Sequence, residues 1–260
     1  MEFSYSLWRD FSPQLGLEEF HCHKKRGLSR AKKIKQQDTN PQLIGKLAQR
    51  GIAYLYKHPE FLSAQGIKYV GNKVLNLQNR DGEVAQTIQN ILELYFKYPF
   101  LQNKNVIHLD SGDQASENII LPIDKIYLRV NYLFDCVIEE ESRIHIVDFK
   151  TGKTQDIRQA FVYILVGDNL YFNYEKEIVA SFYNLETAES SEIYSLDPQE
   201  KKFVKQRILE IAVAHKREMK DYDCGQKSFE NIFPASPGRG CLNCSYQFYC
   251  EDYVEYVNDN

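Results

Sequence analysis

Apolar residues recur at helical spacing in four stretches of the chain and alternate or cluster in several shorter ones. Helices are predicted over about 43–56 and 83–98, the second on Val84, Ile88, Ile91, Leu92, Leu94 and Tyr95, and both are expected to cover one side of a sheet. Strands are predicted at 106–109, 118–121, 127–138 and 143–149, separated by the turn-like Asp110-Ser111-Gly112-Asp113 and by Glu139-Glu140-Glu141-Ser142. A helix over 157–166 follows, then strands at 177–185 and 192–195. Asp197-Pro198 opens a longer helix carrying Phe203, Ile208, Ile211 and Val213 to about 220. The segment 234–250 is rich in turns. The order implies an α/β fold with a mixed central sheet flanked by helices. No repeat or low-complexity linker divides the 260 residues, so a single domain is expected. Within it the regions are a helical and basic part to about 100, a core over 101–220 and a cysteine-bearing tail over 221–260.

Composition narrows the picture. The longest apolar run, 160–166, falls well short of the ~18 residues that span a bilayer, so no membrane partner is expected. The first ten residues lack a basic leader followed by an apolar stretch, which predicts a cytoplasmic protein. Its six cysteines would then be mostly reduced, and clustered ones read better as metal or cluster ligands than as disulfides. Thirty-two basic and 36 acidic side chains give a net charge of -4, so any binding of nucleic acid must come from local patterning. Such a pattern exists: Lys24, Lys25, Arg26, Arg30, Lys32, Lys33 and Lys35 follow one another with no acid between Cys22 and Lys35.

The chemistry centres on a hairpin. With Glu139 to Ser142 as its loop, Asp135 faces Ile146 and lies diagonal to Asp148, and Lys150 shares that face. Diagonal neighbours are about 7–8 Å apart, a separation from which two carboxylates can share a hard cation at oxygen distances of about 2.0–2.1 Å. The alternative makes Asp148 and Lys150 surface residues at a strand end. Against it, Ile144, Ile146, Val147 and Phe149 are apolar on both faces, so a charge there needs a partner.

Asp135, the run Ile146-Val147-Asp148-Phe149-Lys150-Thr151-Gly152-Lys153 and Gln159-Ala160-Phe161-Val162-Tyr163 together resemble the successive motifs of the PD-(D/E)xK nuclease superfamily, in its RecB-like branch. Asp-x-Lys alone is weak; the Gln-x3-Tyr helix at this distance makes it specific. The resemblance implies a restriction-endonuclease-like fold in which Asp135 and Asp148 ligate Mg2+ or Mn2+. Lys150 would orient the attacking water and stabilise charge on the phosphate, and Gln159 and Tyr163 would face the site. Gln159 has a second reading, as the partner of Asp156 in a capping box, and Tyr163 a second reading as core. Gly152-Lys153-Thr154 imitates the end of a phosphate-binding loop, but Val147 stands where that loop needs glycine. Family members place a histidine ligand in a Gly-x3-His pattern on an early helix; here Gly45-Lys46-Leu47-Ala48-Gln49 puts Gln49 at that position, an oxygen ligand that shifts preference away from manganese. His58 lies off the pattern and reads as a surface residue.

Cys241, Cys244 and Cys250 form C-x2-C-x5-C, and a four-thiolate site needs one more. Cys22 is the expected fourth ligand and Cys224 its competitor, while Cys136 reads as a core thiol. One early and three late cysteines also resemble the iron–sulfur RecB-like nucleases, including CRISPR-associated RecB-like exonucleases, which implies a structural 4Fe-4S cluster; structural Zn2+ is the alternative. Tethering Cys22 to the tail would fix the seven cations in place for phosphates, and some of the 34 aromatic residues could stack on unpaired bases.

Three readings of function follow. The first is a metal-dependent deoxyribonuclease, a single-strand DNA exonuclease of repair, recombination or CRISPR adaptation with protein partners in such a complex. The second, motivated by Gln49, is a nucleic-acid-binding or assembly protein on a catalytically weakened nuclease scaffold. A redox protein is a third, carried by the cysteines alone.

Overall fold

The computed structural model describes residues 1–14, 16–35, 39–152 and 155–259. The elements run β1 (Glu2–Ser4), α1 (Tyr5–Phe11), α2 (His23–Arg30), α3 (Asn40–Lys57), α4 (Ala64–Tyr69), α5 (Gly82–Lys97), β2 (Asn105–Leu109), β3 (Glu117–Ile123), β4 (Ile126–Tyr132), β5 (Cys136–Glu139), β6 (Arg143–Lys150), α6 (Ile157–Leu170), β7 (Glu177–Asn184), β8 (Glu189–Ser190), α7 (Pro198–Asp223), α8 (Phe229–Ile232) and α9 (Glu251–Asp259). They fall into two compact units interleaved in sequence. One comprises Met1–Asp38, Ile120–Asn131 and Phe203–Asn260, the other Thr39–Ile119 and Tyr132–Lys202.

The unit built on Thr39–Ile119 and Tyr132–Lys202 contains a five-stranded mixed sheet in the order β2-β5-β6-β7-β8, parallel only between β6 and β7. A parallel pair cannot be closed by a hairpin, and α6 supplies the crossover. Gly167 lets α6 approach the sheet: a Cβ there would lie 2.7 Å from Ile178 and 2.8 Å from Ile146. The helices α3 and α5 bury Leu47, Ile52, Ile88, Leu92 and Tyr95 in the same core as Cys136, Ile138, Val147 and Tyr183. Both helices match the predicted periodicity, with Asp81 capping α5 through the backbone N–H groups of Glu83 and Val84.

Two strand expectations change. The strand expected over 127–138 is two strands, β4 and β5, interrupted at 133–135 where side chains take the main-chain carbonyls: the Tyr163 hydroxyl donates to Leu133 O at 2.7 Å, and His108 Nε2 lies 2.9 Å from Phe134 O. The strand expected at 192–195 is β8, three residues earlier, paired Tyr183↔Ser190, with Tyr194 bridging Ala180. The turn between β7 and β8 ends at Ala188 with φ +59°, a left-handed position without the glycine or asparagine that announces one in a sequence.

In the other unit β1 pairs parallel with β4, Phe3 opposite Val130, within a sheet of order β1-β4-β3. The cysteine tail folds onto the N-terminal segment, as expected. Leu28, Phe229, Ile232, Phe233 and Tyr246 share one core, and Lys24 N–H donates to Pro234 O at 3.1 Å. Among the described residues no helix is long and apolar enough to cross a membrane.

His215 on α7 sits edge-on to Phe11, with its Nδ1 buried and unpaired among the described residues. Burial, then the charges of Arg30 and Arg26, push the imidazole from 6.5 down to about 4. The unfolded chain therefore takes up a proton below pH 6.5 that the folded chain refuses until about pH 4, and stability falls across that window as pH is lowered. With the shift discounted for the ring's partial exposure, the loss between pH 7.5 and 5 is about 1 kcal/mol. Urea unfolding of His215→Leu at the two pH values is expected to lack this increment.

Candidate active site

Asp135 and Asp148 meet on one face through the β5–β6 hairpin. The pairing runs Glu139↔Ile144 to Cys136↔Val147, so Asp135 falls directly opposite Asp148 and not diagonal to it. The expected loop was too long: Glu140 N–H donates to Arg143 O at 2.9 Å, leaving a tighter turn and shifting the register by two. The shared face is unchanged because a two-residue slip preserves side-chain parity.

Asp148 is buried at 3% exposure. Its Oδ1 accepts from Gln159 Nε2 at 2.7 Å and lies 3.1 Å from the Tyr163 hydroxyl, while Oδ2 stands 2.7 Å from Lys150 Nζ without hydrogen-bond geometry. Lys150 in turn donates to Gln159 Oε1 at 2.8 Å. Gln159 thus clamps the carboxylate and the ammonium with its two amide ends, and it also reaches the Tyr163 hydroxyl at 2.9 Å. The capping-box alternative is not what its side chain does: Asp156 caps α6 by accepting from Arg158 N–H, and Gln159 turns to the site. Tyr163 is buried as its core reading requires, yet its hydroxyl is at the site. Burial, then the charge of Asp148, raise its pKa well above the usual range.

Asp135 accepts from Phe149 N–H through Oδ2 at 2.7 Å and from Gln49 Nε2 through Oδ1 at 3.1 Å. Burial and the neighbouring Asp148 raise its carboxyl well above the ordinary range, against the pull of Phe149 N–H, Lys150 and Gln49. Gln49 differs from expectation. It presents its amide nitrogen, not its oxygen, and divides it between Asp135 and Asp110 Oδ2, each 3.1 Å away. Two carboxylates demand a donor, so this amide acts as a bridge between acids and not as a ligand.

Asp110, read in the sequence as part of a turn, is 1% exposed and belongs to the site. Its backbone N–H donates to Asp135 O at 2.9 Å. Gly112, at φ +77°, brings this loop against α3, where a Cβ would lie 2.5 Å from Lys46 O; Arg50 pairs with Asp113 beside it. Two buried carboxylate oxygens, Asp110 Oδ1 and Asp148 Oδ2, have no hydrogen-bond partner among the described residues. Carboxylate oxygens are the donors a hard divalent cation takes, but Asp148 Oδ2 is ion-paired to Lys150, and no three Asp, Glu, His or Cys side chains among the described residues converge closely enough to hold a metal ion. Lys153 and Thr154, part of the predicted motif, lie outside the described residues.

The four cysteines Cys22, Cys241, Cys244 and Cys250 line one cavity with Tyr246 and Lys24. Cys224 is exposed and Cys136 buried, its thiol raised by burial and by Asp135. The basic run begins as helix α2, which ends at Arg30 before Lys32, Lys33 and Lys35, and much of it is committed internally. Lys24 pairs with Asp252, Arg26 with Glu218, Arg30 with Asp10 at 2.9 Å, and Lys32 lies over the Phe229 ring at 4.1 Å. Lys24, Arg26 and Arg30 therefore have their charges answered before any phosphate arrives; Lys25, Lys33 and Lys35 are exposed. His58 is half-buried at the surface, its ring 4.4 Å from that of Tyr54 and its Nδ1 beside Glu60.

Residues 125–251 match the family model of the PD-(D/E)XK nuclease superfamily. This stretch is similar to a PD-(D/E)XK nuclease superfamily domain. It carries Asp135, Asp148, Lys150, Gln159 and Tyr163 together with the three late cysteines; Cys22, Gln49 and Asp110 precede it. The mixed sheet with helices on its faces is the restriction-endonuclease-like architecture that the sequence implied. Among solved structures, a candidate exonuclease from Eubacterium rectale is 11% identical, covering 87% of this chain and 83% of its own at a TM-score of 0.46. The protein SSO0001 is 12% identical, covering 89% and 95% at a TM-score of 0.33. No curated protein sequence matches the chain.

Proposed function

We propose that the protein is a metal-dependent deoxyribonuclease that hydrolyses phosphodiester bonds at single-stranded DNA ends. The observation that carries this reading is the buried Asp148 carboxylate, facing Asp135 across the β5–β6 hairpin and ion-paired to a lysine that Gln159 clamps. Asp135 and Asp148 would hold Mg2+ or Mn2+, and the chemistry such a cation supplies when bound is Lewis-acid polarisation and activation of a water. Lys150 has three N–H donors; with one on Gln159 and its charge against Asp148, it retains capacity to hold a phosphate oxygen as charge develops. Tyr163, anchored at Leu133 O, and Gln159 keep Asp148 from turning away.

A preference for unpaired bases is supported by an aromatic cleft of about 520 Å3 lined by Tyr98, Phe100 and Tyr183. Phe100 stacks on Tyr183 at 3.8 Å and meets Phe149 edge-on at 5.5 Å, on the face of β6 opposite the one that carries Asp148. Base stacking on such rings tolerates any sequence. For the tail we infer a structural 4Fe-4S cluster, with Zn2+ as the other occupant of a four-thiolate site, from four cysteines that line one cavity but do not converge as a ligand group among the described residues.

The test is anaerobic purification with iron, sulfide and zinc analysis, followed by degradation of end-labelled single-stranded DNA with Mg2+ or Mn2+. Shortening of the label that stops with EDTA is expected, on protein carrying about four irons. Intact DNA under both metals would favour the binding-protein reading, and zinc without iron would replace the cluster.

A further inference from the structure

Much of the basic run at α2 is paired; the cations that follow α3 are not. Between Glu60 and Asp81 the chain holds no acid and three bases, Lys68, Lys73 and Arg80. All three are exposed, as is Lys57 at the end of α3, and none of these side chains has a partner among the described residues. Aromatic rings lie among them. Tyr69, 47% exposed at the end of α4, is stacked on Phe61 with centroids 5.1 Å apart and planes 14° from parallel. Phe61 in turn meets Tyr54 at 5.8 Å, and Tyr54 lies against His58. The backbone builds this stack: Ser63 caps α4 by accepting from Gly66 N–H at 3.1 Å, and Gly66 lets the helix close onto Phe61, where a Cβ would lie 2.2 Å from Phe61 O. Tyr54 and Phe61 pack on the core, while Tyr69 stands outside it, so the outermost ring is held by its neighbour and left half open to solvent. An exposed ring alone means little. Here it comes with Lys68 beside it in sequence and with Lys73 four residues on, along the π turn Val70–Val74 that continues α4, hence on the same side of the helix.

We infer that this surface binds single-stranded DNA, with one base stacked on the face of Tyr69 that Phe61 leaves free and the flanking phosphates held by Lys68 and Lys73. The inference deepens the single-strand reading given above and rests on it. A duplex covers its base faces, so a stacking ring selects unpaired bases, and the phosphates of the same strand meet the bare cations. A protein partner fits less well, because protein interfaces are depleted of lysine where they are buried and this segment offers one open ring among charges. Gln49 on α3 touches Asp135, and Lys57 ends the same helix eight residues later, about 12 Å along its axis. The surface therefore lies outside the carboxylate site and contributes to holding the strand, not to the chemistry.

Fluorescence anisotropy of labelled oligo(dT) with the full-length protein in EDTA tests the assignment without cleavage as a readout. Tyr69→Ala is expected to bind about tenfold more weakly than the parent, and Tyr69→Phe, which still stacks, to bind like it. Binding of an abasic strand of the same length should be insensitive to Tyr69→Ala, since it has no base to lose. Lys68→Ala/Lys73→Ala should flatten the dependence of log affinity on log salt by about 1.4, about 0.7 for each phosphate contact removed. All these side chains are exposed, so the variants are expected to melt with the parent. Parent-like affinity in Tyr69→Ala, equal sensitivity of the abasic strand to that change, or an unchanged salt slope in the lysine variant overturns the assignment and leaves the cleavage reading standing. A parent that binds no oligo(dT) at micromolar protein overturns this surface and the single-strand reading together.

Discussion

Lys150→Ala is expected to cut single-stranded DNA about 10²–10³-fold more slowly than the parent while binding it with nearly unchanged affinity. The expectation rests on where the ammonium is held. Its Nζ lies 2.7 Å from Asp148 Oδ2 and donates to Gln159 Oε1 at 2.8 Å, so the charge is fixed before substrate arrives and needs no reorganisation when the phosphate gains charge. A side chain that contributes only when charge develops lowers turnover and leaves binding alone. Lys150→Arg sharpens the test: it keeps the charge, but a planar guanidinium fork does not fit the single point between Gln159 Oε1 and Asp148. It is expected to recover little of the rate. Single-turnover cleavage and filter binding on the same preparations separate the two quantities. A Lys150→Ala protein that cuts at the parental rate would remove the lysine from the mechanism. One that no longer binds DNA would make it a binding residue.

The site was legible where chemistry and periodicity coincide and obscure where tertiary contact decides. Asp148 and Lys150 sit two apart in an apolar strand, and strand parity alone puts them on one face. Asp135 was assigned to that face with the wrong register, an error that did no harm because the slip was even. Gln159 and Tyr163 were readable from helical spacing, although only the structure separates a capping role from a clamp on Asp148 and Lys150. Asp110 gave no such signal: Asp-Ser-Gly-Asp has the composition of any surface turn, and its burial depends on Gly112 pressing the loop onto α3, a contact between segments more than sixty residues apart. Gln49 was placed from its spacing to Gly45, but which end of its amide faces inward depends on the two acids around it. The basic run misled for the complementary reason. Seven cations between Cys22 and Lys35 read as a surface, yet Lys24 and Arg26 pair with Asp252 and Glu218, near the far end of the chain, and Arg30 pairs with Asp10.

Glu218→Ala is accordingly expected to be one of the most damaging changes outside the site, costing about 3 kcal/mol and lowering the melting temperature by about 6–10 °C. The Arg26 side chain is 1% exposed, and both of its terminal nitrogens are directed at Glu218, Nη2 donating to Oε1 at 3.2 Å. The guanidinium lies over the Phe11 ring at 4.0 Å and 5.1 Å from that of Phe233, contacts that favour a cation without replacing its counter-ion. Its Nε is already unpaired among the described residues. Removing Glu218 therefore strands a charge inside the packing of α2 against Phe233, and the chain must hydrate it by opening that contact. The double variant Arg26→Met/Glu218→Ala should regain most of the loss, since a buried pair replaced by apolar atoms of similar reach removes the desolvation cost with the attraction. Thermal melts of the parent, the single and the double variant form the cycle. If Arg26 were a solvated phosphate-binding residue, Glu218→Ala would leave melting unchanged and tighten DNA binding, and the structural role given to this part of the basic run would fail.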